Sequence, residues 1–166
     1  MTAAPWRNRI VRAGLEDPSQ LLANPNNWRT HPGPQRDALR GSLDTVGWVQ
    51  QVLVNLTTGH MVDGHARVEE ALSRGEPKVP VLYVELTDEE ERLVLASLDP
   101  ISAMAIPDEA KLAELLADIT VSDEGLRTLI GSMGVPDFTP VDPESQSRLD
   151  ERTPITCPEC GHVFTA

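Results

Sequence analysis

Aromatic side chains are scarce in this chain: two Phe, one Tyr and three Trp among 166 residues. With 40% of residues hydrophobic, a core is affordable, but it has to be aliphatic. No run of 18 apolar residues occurs, so no membrane-spanning helix is expected. The stretch Met1-Thr2-Ala3-Ala4-Pro5-Trp6-Arg7 lacks the apolar segment of a signal peptide, and a cytoplasmic location is expected. Positive charge is in deficit too. The formal net charge is −12, and only residues 1–40 run the other way, with six Arg against three acids. A chain so acidic is repelled by polyanions at long range, which disfavours tight, unaided DNA binding. Cysteine is confined to Cys157 and Cys160.

What is present centres on residues 49–75. Val49 to Asn55 is β-rich, Thr57-Thr58-Gly59 is a turn, and His60-Met61-Val62 is a second short strand. Asp63-Gly64 then leads into a helix with Val68, Ala71 and Leu72 at helical spacing, closed by Gly75. The first amides of such a helix lack internal partners, and its dipole favours an anion there. Gly64 permits close approach of a ligand to the backbone, while His65 and Arg67 can contribute donors to phosphate oxygens. Asp-Gly before a helix is equally ordinary capping chemistry, His65 could be a solvated helix-start residue, and Arg67 could pair with Glu69 or Glu70. On spacing alone, both readings stay open.

Asn8 to Leu15 reads as a first strand, and Asn24 to Pro34 as a loop bearing Arg29 and His31. Folded over the helix start, that loop would supply a second cationic contact; as a surface Trp-Arg stack it would supply none. Pro34 to Val46 reads as a helix with Leu39, Leu43 and Val46 on one face, and Val79 to Leu86 as a strand. Thr87 and Glu90 form a capping box, with the acids Asp88 to Glu91 read as a solvated first turn. Asp99-Pro100 is expected to break that helix. Two further helices follow, one opened by Pro107 and one capped by Ser122. Acids at the start of the second argue for packing rather than DNA reading.

Residues 135–156, with four Pro and few apolar residues, read as a linker. Beyond it, Cys157-Pro158-Glu159-Cys160-Gly161-His162 has the spacing of one zinc knuckle. Two thiolates and His162 are an incomplete ligand set for Zn2+. A second copy in a homodimer would complete four thiolates; otherwise the tail is metal-free or redox-active.

The loop Asn24-Pro25-Asn26-Asn27-Trp28-Arg29-Thr30-His31, the helix ending at Gly47, the strand Gln50-Gln51-Val52-Leu53-Val54, the box Asp63-Gly64-His65-Ala66-Arg67 and Val79-Pro80-Val81 occur in the order of the ParB/sulfiredoxin (ParB-like nuclease) family, which residues 9–120 resemble. The likeness is greatest to phage and actinobacterial members, some of which accompany DNA methyltransferases and end in a zinc knuckle. The resemblance implies an α/β fold: a small mixed sheet with flanking helices, followed by a short helical segment and the Cys-x-x-Cys tail. It divides the chain into a nucleotide-binding domain (9–100), a helical extension (101–134), the linker (135–156) and the tail (157–166). It further implies a nucleoside triphosphate, CTP or ATP with Mg2+, whose phosphates meet Gly64, His65, Arg67, Arg29 and His31 and whose base lies near Gln50 and Gln51. DNA would be reached through a partner protein such as a methyltransferase.

Departures from the pattern limit what carries over. Partition proteins of this family have Gly-Glu-Arg-Arg where this chain has Gly64-His65-Ala66-Arg67, and their Glu-Asn-x-x-Arg segment has no match around Ser97-Leu98-Asp99-Pro100. Sulfiredoxins have a reactive Cys where His65 stands, so sulfinic acid repair is set aside. Kinase-like relatives leave an enzymatic alternative, an NTP hydrolase, phosphotransferase or metal-dependent nuclease, with Asp63 and His65 as catalytic groups. A non-catalytic, zinc-tailed interaction module is the other alternative.

Overall fold

The structure is a computed structural model that describes residues 4–134, 154–156, 160 and 162–165. The described residues fall into two units, divided after Gly134. In the first, β1 (Ile10–Glu16) leads through a single 3-10 turn (Pro18–Gln20) and the Asn24–Pro32 loop into α1 (Gly33–Thr45). The hairpin β2 (Val52–Asn55) and β3 (Met61–Asp63), α2 (His65–Arg74), β4 (Val79–Val84), α3 (Asp88–Ala103), α4 (Glu109–Ala117) and α5 (Glu124–Met133) follow. The second unit contains β5 (Pro154–Thr156) paired antiparallel with β6 (Val163–Thr165).

The sheet order is β1-β4-β2-β3, mixed as expected: β4 runs parallel to β2 and antiparallel to β1, and β2 is antiparallel to β3. Alternation does the work here. Val52, Val54, Val79, Val81 and Tyr83 point to one face, where Val68 and Ala71 of α2 meet them in a mainly aliphatic core with Trp48 packed against it. Leu72, expected on the same stripe, sits at its margin and is half exposed. Gly75 closes α2 at φ +75°, the left-handed cap anticipated from the sequence.

Four local expectations are corrected. Helix α3 does not stop at Asp99-Pro100 but carries Pro100 inside it to Ala103. The boundary expected between residues 100 and 101 therefore lies within one helix. Proline costs the Ala96 carbonyl its donor, but that part of α3 faces solvent, where water can satisfy the carbonyl. Helix α1 buries Ala38 and Gly41 instead of the Leu39, Leu43 and Val46 face; Val46 is exposed. The reason is α5. A Cβ on Gly125 would lie 2.7 Å from the Asp37 carbonyl carbon, and one on Gly41 would collide with Asp123, so the two helices cross backbone to backbone at glycines. The cap of α5 is Asp123, which accepts from the Leu126 amide at 2.8 Å, rather than Ser122. Finally, Glu91, read as part of a solvated acidic turn, is 3% exposed. It lies four residues before buried Leu95, on the inward stripe of α3.

The linker expected over residues 135–156 lies outside the described residues except for Pro154–Thr156, which form β5. Cys157 and Gly161 also lie outside them.

Candidate functional site

A cleft of about 1080 Å³ opens beside the start of α2, between α1, α5 and the Asn24–Pro32 loop. Gly64, the residue before α2, adopts φ +95°, and the helix has no side-chain cap. The strand therefore turns into the helix at a residue without a Cβ; one placed there would lie 3.2 Å from the Val52 Cα. The first-turn amides of α2 are left to a ligand or water, and the helix dipole adds partial positive charge.

Arg29, His31, Gln50, Asp63, His65 and Arg67 all line this one cleft. The sequence placed four of them in the box and its preceding strand and two in a distant loop; the tertiary fold joins them. Gln51 does not line the cleft, and its carbonyl accepts from Arg67 at 3.4 Å.

The arginines are not free. Arg67 Nη2 lies 2.7 Å from Asp63 Oδ2, and its Nη1 donates to Gln50 Oε1 at 3.0 Å. Gln50 Nε2 also donates to Asp63 at 3.3 Å, closing a three-residue ring. The alternative ion pair of Arg67 with Glu69 or Glu70 is not formed: Glu70 is buried against α1, where it accepts from Arg36 Nε at 2.7 Å and Arg40 Nε at 3.0 Å. Arg29 Nη1 is 2.8 Å from Asp99 Oδ2, and its Nη2 donates to the Leu95 carbonyl at 3.3 Å. Trp28 Nε1 donates to the same carbonyl at 3.1 Å. His31 Nδ1 lies 3.2 Å from Gln35 Oε1.

His65 is 7% exposed rather than a solvated helix-start residue. Its Nε2 accepts from the Asn24 amide at 3.3 Å. Burial lowers its pKa, opposed by the charge of Asp63, so near neutral pH the ring is an uncharged donor. Asn24 Nδ2 in turn donates to Glu91 Oε1 at 2.7 Å, and Asn55 Nδ2 to Glu91 Oε2 at 2.6 Å. The burial of Glu91 pushes its pKa up, but hydrogen bonds from Thr58, Asn55 and Asn24 outweigh that and leave it below the usual value.

Sequence reasoning missed Asn24, Glu91 and Asp99. Asp99 was visible only as a helix breaker, and Asn24 only as a loop former. Glu91 had a readable signal in its four-residue spacing to Leu95. Among the described residues, no group of three or more His, Cys, Asp and Glu is placed to hold a metal ion. Cys160 and His162 are exposed. No described helix is long and apolar enough to cross a membrane.

No family model matches the chain, and no curated protein matches it. Among solved structures, it is similar to a C-terminally truncated chromosome-partitioning protein ParB from Caulobacter crescentus, complexed with CTP-γ-S. The TM-score is 0.53 at 22% identity, over 64% of this chain and 62% of that one. A Pnob8-like ParB-N domain matches at TM-score 0.46 and 13% identity, over 96% of this chain and 59% of that one. The chain thus spans less than two thirds of the length of either. The first likeness shows the fold: a ParB-like mixed α/β architecture with a four-stranded sheet and flanking helices.

Proposed function

We propose that this chain is a ParB-like nucleotide-binding domain protein that takes a nucleoside triphosphate, CTP or ATP, at the start of α2. One observation carries the reading: the uncapped first turn of α2 opens, past Gly64, onto the cleft where Arg29, His31, His65 and Arg67 gather. The similar fold of a ParB crystallised with CTP-γ-S supports it. Phosphate oxygens would meet the α2 amides and the His65 ring, and would compete with Asp63 and Asp99 for Arg67 and Arg29.

The cleft's charges fit a metal-bound nucleotide better than a bare one. Each of its two inner arginines is already neutralised by a carboxylate, so a free tetraanion would meet little net positive charge. Mg2+ on the phosphates would supply the missing charge, and the carboxylates that line the cleft, Asp63 and Asp99 among them, would be the protein groups offered to it. Gln50 would lie near the base. The enzymatic alternative, with Asp63 as base and His65 assisting, is less favoured because Asp63 already accepts from both Arg67 and Gln50.

In this reading the protein serves DNA transactions, such as modification, partition-like regulation or nicking, in the cytoplasm and through a partner such as a methyltransferase. Its acidic charge supports the need for that partner. Cys157, Cys160 and His162 would bind Zn2+, completed by a second copy in a homodimer; their spacing alone supports this. Metal analysis together with light scattering tests the tail, and a metal-free monomer ends that part. Titration calorimetry with CTP, ATP and GTP, each with Mg2+, tests the binding site. Heat is expected with at least one, and no heat with any overturns the proposal.

A further inference from the structure

The buried polar chain that ends on His65 begins 26 residues away, on α3. Glu91, 3% exposed, accepts from Asn24; Asn24, 4% exposed, turns its backbone amide onto His65 Nε2. A backbone N–H can only donate, so Nε2 must be the unprotonated nitrogen of the uncharged ring, and the ring proton must sit on Nδ1. Among the described residues, Nδ1 has no hydrogen-bond partner, yet it is not one of the buried unpartnered atoms, so solvent reaches it. The cleft is what His65 lines. Nothing else in this network faces the cleft: the other Glu91 oxygen is held by Asn55 and Thr58 of the β2–β3 hairpin.

We propose that Glu91 and Asn24 are positioning residues: they fix His65 in the tautomer protonated on Nδ1 and so offer that N–H to a phosphate oxygen at the start of α2. This rests on the nucleotide reading for the identity of the anion, but the tautomer does not. An unpinned ring divides its proton between two nitrogens and turns about χ2, so it presents a donor to the cleft for only part of the time. A pinned ring presents it always, at no cost on binding. Replacing the Asn24 side chain cuts the tie to Glu91 while leaving the backbone amide in the chain, so the loop is loosened rather than deleted.

The test is 15N NMR of the full chain with labelled histidine. The wild type should show a protonated, pyrrole-type Nδ1 and an unprotonated, pyridine-type Nε2 for His65. In Asn24→Ala, the two nitrogen shifts should move toward each other as the tautomers mix, and affinity for the nucleotide that gives heat, with Mg2+, should fall about tenfold. Tyr83→Phe removes a remote hydrogen bond to Glu16 and serves as a control for general destabilisation; its His65 shifts should match the wild type. In the wild type, nucleotide should shift the Nδ1–H resonance and slow its exchange with water. A protonated Nε2 in the wild type overturns the proposal, as does an unchanged tautomer in folded Asn24→Ala, or a nucleotide that binds without moving Nδ1–H. Absence of heat with every nucleotide would overturn the nucleotide reading, while the tautomer measurements would still judge the role of Glu91 and Asn24.

Discussion

Asp63 and Arg67 are bound to one another across the first turn of α2, with Asp63 Oδ2 2.7 Å from Arg67 Nη2. The two residues expected to act on a ligand are therefore each other's partners until one arrives. Both side chains are about 85% buried, so this pair is worth more than an exposed one, and its competition with phosphate is real.

Arg67→Ala should abolish the calorimetric heat with nucleotide and leave Asp63 with Gln50 as its side-chain partner. Loss of this largely buried pair, with Gln50 still donating to Asp63, should lower stability by about 1–3 kcal/mol, measured by urea unfolding. A variant that binds as well as the wild type would remove Arg67 from the site.

Gly64→Ala forces a side chain into a φ of +95° and within 3.2 Å of the Val52 Cα in the core strand β2. We expect a loss of about 2–3 kcal/mol from conformational strain and overpacking together, seen as a lower urea midpoint. An unchanged midpoint would mean that the turn does not hold this conformation in solution.

Acid should unfold the protein through two buried carboxylates. For Glu70, burial raises the pKa, but hydrogen bonds from Arg36 and Arg40 lower it further, and the net direction is downward; Glu91 behaves likewise. A folded-state pKa below the unfolded one makes a contribution that is complete above the ordinary glutamate range and disappears as pH falls through the lowered values. Stability should therefore hold on the acid side down to about pH 5 as far as these groups are concerned, and drop below it. Glu70→Gln should be less stable at pH 7 by about 1–3 kcal/mol and show a shallower acid limb, by urea unfolding at each pH.

Gly125→Ala places a methyl group 2.7 Å from the Asp37 carbonyl carbon and should lift α5 off α1. Hydrogen exchange should speed up along α5 while β2, β4 and α2 keep their protection, since α5 buries no residue of its own. Uniformly faster exchange would show that the crossing holds the whole first unit together.

The periodic parts of the chain could be read directly. The β-rich runs of β2 and β4, the Thr87–Glu90 capping box and the Gly75 cap each depend on near neighbours, and all three stand in the structure. The Asp63-Gly64-His65-Ala66-Arg67 box was equally visible as a strand giving way to a helix at a glycine. Its electrostatics were not. Arg67 could reach Glu69, Glu70 or Asp63 on sequence distance, and only the burial of Glu70 against α1 decided among them. His65 could be read as a solvated helix-start residue because nothing local shows that Asn24 covers it.

Local pattern determined where this chain makes strands and helices, because hydrogen bonds within a helix and alternation along a strand involve residues a few positions apart. Tertiary structure alone decided which charges stay charged and which find partners. Those outcomes depend on desolvation and on contacts between residues far apart in the chain, such as Asn24 with Glu91 and Arg29 with Asp99.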